Sequence, residues 1–203
     1  MIAYVETNFL VELAYLQERC DSCELILDFA KAGTITLALP AFSAAEARFT
    51  LRRRAAERRT FQESLRKHLR EISRSEPFRG LSVQSGDVVT ALVAGDDDAR
   101  DRLEAAIETI EEHGITIPLS GEVLRTARWH EINLSLSSQD ALVLASVRLH
   151  AEKSDDRKCF ISQDFKAFED PAVSEELSGV GCKFLSNFTD AVGYIKNALR
   201  PPK

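Results

Sequence analysis

Four carboxylates stand where they could act together: Glu6, Glu46, Asp140 and Asp164. Glu6 directly follows an apolar run, residues 2–5, that reads as a buried strand. Glu46 lies about a turn of helix beyond a second run, 35–39, that Pro40 ends. Asp140 opens a helical segment, 139–152, and Asp164 follows a further run, 159–162. In parallel α/β sheets ligands gather beyond the carboxyl ends of the strands, so these positions are expected on one rim. Carboxylate oxygens are the hard donors that Mg²⁺ and Mn²⁺ prefer. Without a cation such a cluster repels itself and holds its protons more tightly. The chemistry on offer is that of a bound divalent cation, which activates water.

Each acid also has a local alternative. Glu46 comes three residues after Ser43, and Asp140 three after Ser137, the spacing of a helix capping pair. Asp164 could cap a short helix at 165–168, and Glu6 could be a strand-end surface acid. Capping and ligation do not exclude each other. Asn8 suits either a metal-bound water or phosphate, or the start of a helix; Asp170 suits either a ligand or a turn before Pro171.

The segments around these acids resemble the blocks of PIN-domain ribonucleases, which include the toxin nucleases of bacterial toxin–antitoxin pairs. They are Val5-Glu6-Thr7-Asn8-Phe9-Leu10, Ser43-Ala44-Ala45-Glu46, the stretch from Leu136 to Ala145 that contains Gln139-Asp140-Ala141, and Phe160-Ile161-Ser162-Gln163-Asp164-Phe165-Lys166-Ala167-Phe168. The resemblance covers roughly residues 1–50 and 113–199. It implies an α/β fold of three layers, an RNA substrate, Mg²⁺ or Mn²⁺ on Glu6, Glu46, Asp140 and Asp164, and 5′-phosphate and 3′-hydroxyl products. It also implies that Ser162 holds a carboxylate in place, and it extends to an antitoxin partner and a homodimer; the cysteine pattern, with no disulfide framework, suits a reducing cytoplasmic setting. The chain departs from the family twice. Glu6 stands where the family has Asp, and one extra methylene moves a carboxylate by roughly 1.5 Å. Residues 50–113 are longer than the matching helical arm of small members. A catalytically weak PIN-like module that binds RNA or protein is the alternative to a working endoribonuclease.

The rest of the chain must position these acids. Short apolar runs at 2–5, 35–39, 115–117, 159–162 and 183–185 alternate with helical patterns, which predicts a mostly parallel five-stranded sheet covered on both faces. Helices are expected over 7–17, 21–32, 120–131, 139–152 and 189–199. The segment 41–74 is expected to be helical as one or two pieces, broken by Pro77 and Gly80. Further helices at 87–93 and 99–112 are expected to flank an acidic loop, Asp96-Asp97-Asp98. With 203 residues the chain suits one domain, 1–199, with a helical insertion at about 50–113 and a tail at 200–203. No apolar run reaches membrane-helix length, and the first eight residues carry acid and no base, unlike a secretory leader.

Charge is unevenly spread. Between Arg48 and Arg74 ten basic residues and three acids leave a segment of +7 within a chain of net −6. On one continuous helix Arg48, Arg52, Arg59, Arg66 and Arg70 fall within about 40° of one another, opposite Leu51, Phe61, Leu65, Leu69 and Ile72. That stripe is expected to bind RNA phosphates, to be a solvated face, or to dock an acidic partner. Cys20-x-x-Cys23 lacks a second ligand pair and is read as two helical thiols. The four histidines share no ligand spacing, and Trp129 with Leu124 and Ile132 is expected in the core. No P-loop, dinucleotide fingerprint, zincin or nucleophile-elbow motif is present.

Overall fold

The computed structural model describes residues 1–79 and 85–200. Among them are five strands: β1 (Ile2–Val5), β2 (Thr36–Pro40), β3 (Ile115–Ile117), β4 (Lys158–Ile161) and β5 (Cys182–Leu185). They form a sheet in the order β3-β2-β1-β4-β5, and every pairing is parallel. The chain builds outward from β1 through β2 to β3, then returns to β1's other edge for β4 and β5. The order therefore reverses between β1 and β4, and at such a switch point the connections diverge and open a crevice at the strand ends. Glu6 and Ser162 are the residues that leave those two strands.

Strand side chains alternate between two cores, the period expected of a pleated strand. Ala3, Val5, Leu37, Leu39, Cys159 and Ile161 pack under α1 (Thr7–Tyr15), α2 (Cys20–Lys31), the start of α3 (Ala41–Ile72), and two later helices, α5 (Asp96–His113) and α10 (Phe188–Ala198). Ile2, Tyr4, Ala38, Phe160 and Cys182 face the other way, toward α7 (Ser138–Ala151), α8 (Phe165–Phe168) and α9 (Pro171–Gly179). The result is a three-layer α/β fold. The remaining helices are α4 (Gly86–Ala91), which lies against α3, and α6 (Gly121–Leu134), which packs outside α7.

Residues 41–72 form one unbroken helix, within the expectation of one or two pieces, while Gly80 and 201–203 of the tail lie outside the described residues. Several elements differ from the sequence expectation. Asp96, Asp97 and Asp98 are not a loop. They are the first turn of α5, where carboxylates favour the exposed N–H dipoles, and Gly95 enters that helix at φ 83°. Helix α9 was not anticipated, although Asp170 caps it by accepting from the Ala172 amide at 2.8 Å and Pro171 opens it. Trp129, Leu124 and Ile132 are exposed, at 48%, 51% and 69%, rather than core. The inward face of α6 is instead Val123, Ala127 and His130, because Ala141 and Ala145 on α7 let the two helices approach through small side chains. Cys20 and Cys23 are free and buried, as expected of helical thiols.

Gly114 joins α5 to β3 at φ −134° and ψ −149°, with no room for a side chain. A Cβ there would meet the carbonyl oxygens of Leu37 and, at 2.9 Å, Ile110, both main-chain atoms that are held in place. Gly114→Ala is expected to cost about 2–3 kcal/mol, as overpacking does. Urea unfolding followed by circular dichroism checks this; an unchanged midpoint would show that β2 and β3 separate easily.

Candidate active site

The four acids arrive on four separate elements. Glu6 leaves β1 as the N-cap of α1, its Oε2 accepting from the Asn8 amide at 3.0 Å. Glu46 sits in the second turn of α3. That helix begins at Ala41 after Pro40, with no side-chain cap, so the capping pair of Ser43 and Glu46 does not form. Instead the Thr7 hydroxyl donates to Glu46 Oε2, tying α1 to α3 across the rim. Asp140 lies in the first turn of α7, where the Ser137 hydroxyl donates to its Oδ2 at 2.6 Å and accepts from its amide at 3.2 Å. Asp164 leaves β4 and caps α8 through the Ala167 amide at 3.2 Å, while its own amide donates to Ser162 Oγ at 2.9 Å. Three of the four acids thus serve a helix start as well as the rim, and Asp170 serves only as a cap.

All four line one open cleft of about 270 Å³ at the carboxyl edge of the sheet. Asn8 lines it too, and the fully buried Ser162 lies behind it, so both supporting residues expected from the sequence are at the site. As positioned, no three acids, histidines or cysteines among the described residues converge closely enough to hold a metal ion. The donor chemistry nonetheless fits a hard cation. Glu6 is 6% exposed, and its Oε1 is buried with no close hydrogen-bond partner. A buried, half-satisfied carboxylate is costly unless something positive completes it.

The electrostatics point the same way. Burial pushes the Glu6 carboxyl up to about 7; the Asn8 amide and the nearby Ser162 hydroxyl oppose that, and the neighbouring charges of Glu46 and Asp164 add to it. Burial also lifts Glu46 above the usual carboxylate range against the bond from Thr7, with Asp140 adding to the rise. Asp140 is raised by burial against the Ser137 bond, with Asp164 adding to it. Two carboxylates that repel one another cannot both ionise cheaply.

The arginine stripe expected to bind RNA sits elsewhere. Arg48 is locked to Glu104 of α5 by Nε and Nη2 bonds of 2.6–3.1 Å. Arg52 and Arg59 line a small groove of about 80 Å³ between α3 and α5, together with Arg100, Asp96 and Asp97. Arg66 and Arg70 are exposed further along α3. None of the five lines the acidic cleft. The arginines that do are Arg53 and Arg54, with Thr50 beside them. Counting from Glu46 would have found them: positions four, seven and eight further along a helix return to the same side.

With this geometry in view, the chain matches the family model of the PIN domain over residues 4–168. It belongs to the PIN domain family. The match spans β1 to α8 and so includes all four acids and the whole helical region between them. PIN domains are commonly nucleases and generally use divalent metals. No curated protein matches the chain. Among the described residues no helix is long and apolar enough to cross a membrane.

The raised Glu6 has a measurable consequence. Its pKa in the folded protein lies above its ordinary 4.5. The unfolded chain therefore releases that proton first as pH rises, and folding loses stability between about pH 4.5 and 7. Above that window the penalty is complete, at roughly 3 kcal/mol. In EDTA, Glu6→Gln should therefore be more stable than wild type at about pH 8, with the gap closing toward about pH 4.5. Urea titrations at both pH values test this; a gap that does not change with pH would mean that Glu6 does not carry the penalty.

Proposed function

We propose that this PIN domain is a metal-dependent endoribonuclease that hydrolyses RNA phosphodiester bonds with Glu6, Glu46, Asp140 and Asp164. The observation that carries this is one cleft lined by four carboxylates from four elements, with the Glu6 Oε1 left buried and uncompleted. Glu6, Glu46, Asp140 and Asp164 would hold Mg²⁺ or Mn²⁺, which when bound supplies positive charge against the phosphate and lowers the pKa of water.

The chain's own groups do the rest. Thr7 fixes the Glu46 carboxylate, Ser137 fixes Asp140, and Ser162 fixes the backbone at Asp164, so the acids keep their directions when charge changes. Glu46 and Asp140 are half-buried, whereas Glu6 is buried, so those two are open enough to the cleft to accept a proton from an attacking water. Water adds to phosphorus in line with the leaving 3′ oxygen; the P–O3′ bond breaks and that oxygen takes up a proton. The exposed Arg66 and Arg70 extend positive charge along α3 and draw a polyanion toward the body. The same basic helix suits the acidic antitoxin of a toxin–antitoxin pair.

A second function is favoured by one observation. The acids do not close on a common point as placed. A module that binds RNA and cuts it poorly would look the same.

Cleavage of a labelled RNA with Mn²⁺ or Mg²⁺ separates the two. Wild type is expected to cut only with metal, and Asp140→Asn to lose about a hundredfold or more in rate. Binding without cutting at either metal would establish the module. Equal cutting by both proteins would place the chemistry outside this cleft. Glu6→Asp is expected to keep or raise activity, because the shorter acid restores the family's reach; complete loss would show a site built around glutamate.

A further inference from the structure

Arg53 and Arg54 share the cleft with the four acids, yet neither makes an ion pair with any of them among the described residues. That is unexpected if their purpose were to neutralise the cluster. Opposite charges on one wall pair readily when nothing else claims them.

The two guanidinium groups are held apart from the acids by other partners. Arg53 Nη1 lies 3.2 Å from Glu57 Oε1 one turn further along α3. Arg54 lies over the Tyr15 ring at 5.4 Å, and Arg58 covers the same ring at 4.7 Å while its Nη1 bonds Asp96 at 2.6 Å. These contacts restrain the arginines in advance, which lowers the entropy lost when they take a ligand. Seven and eight residues of helix set them roughly 10–12 Å along the axis from Glu46. Thr50 adds a hydroxyl between them. The wall of α3 therefore runs from acid through hydroxyl to cation. An anionic backbone entering a negative cleft needs such a feature, because the acids alone repel it.

We propose that Arg53 and Arg54 form a phosphate clamp that binds the nucleic-acid backbone beside the scissile phosphate. The assignment rests on the nuclease function proposed for the same cleft. Arg53, with its side chain 53% exposed, exchanges Glu57 for a phosphate oxygen, and Arg54 donates from its seat on Tyr15. Arg48 and Arg58 hold α3 to α5 and do not take part.

The test uses the full chain with Asp140→Asn, so that bound RNA survives. Fluorescence anisotropy follows a short fluorescein-labelled single-stranded RNA of mixed sequence, with Mg²⁺, across a series of salt concentrations. Adding Arg53→Gln and Arg54→Gln is expected to weaken binding about tenfold or more at low salt and to flatten the log K against log salt slope by about 1.4 for two lost contacts. Arg53→Lys with Arg54→Lys should recover the slope, since it keeps the charge. Lys31→Gln with Arg157→Gln, which removes two charges at the opposite edge of the sheet, should leave the slope as it was. Circular dichroism melts confirm folding, and Arg53→Gln alone serves if the double variant does not fold. Binding and slope unchanged by Arg53→Gln and Arg54→Gln, with RNA still bound, would overturn the clamp and leave the nuclease function standing. No RNA binding by the parent protein would overturn both.

Discussion

The carboxylate of Glu6 sits at the carboxyl end of the central strand, out of water, with one oxygen capping α1 and the other unmet. Most of the surroundings are organised by that arrangement. The first residue of α1, Thr7, reaches across to hold Glu46, and Ser162 at the end of the neighbouring strand supports Asp164 while lying close to Glu6. The parallel sheet makes this geometry available, because reversal of strand order between β1 and β4 leaves the two strand ends adjacent and their connections splayed. The costs are visible in the same place: three neighbouring acids with carboxyls above their usual range.

Much of this was legible in the amino-acid pattern. The five strands and their parallel sense follow from short apolar runs separated by helices, and the rim positions of the acids follow from where those runs stop. What escaped depended on which way a helix faces. On a helical wheel the stripe of Arg48, Arg52, Arg59, Arg66 and Arg70 lies about 140° from Glu46. Its own numbering therefore turns it away from the cleft and toward α5, where Glu104, Asp96 and Asp97 meet it. Counting arginines picked the densest face; counting from Glu46 picks Arg53, about 20° away. The error at α6 is of another kind. Periodicity marks an apolar face, but small residues on α7 decided which face of α6 could come close, and Trp129 was left outside. Residues 96–98 were misread because three consecutive acids suit a loop and a helix's first turn equally well.

Glu6 has a double duty at the rim. Its side chain caps α1 through Oε2 and leaves Oε1 buried without a hydrogen-bond partner among the described residues. As placed, the acids do not converge on one point. A cation entering the cleft would have to pull in side chains that helix caps restrain. In the proposed metal site, metal affinity and helix stability would compete for the same oxygens at Glu6 and Asp164.

That overlap of caps and rim acids bears on how such a protein can change over generations. Caps accept several polar side chains, and asparagine or serine serves about as well as a carboxylate. If the proposed chemistry holds, a single nucleotide change to asparagine at Asp164 would silence it while the start of α8 remains satisfied. On the proposed function, loss of cleavage would lie one such step from this fold, and lineages that retain only the scaffold would be within reach of it.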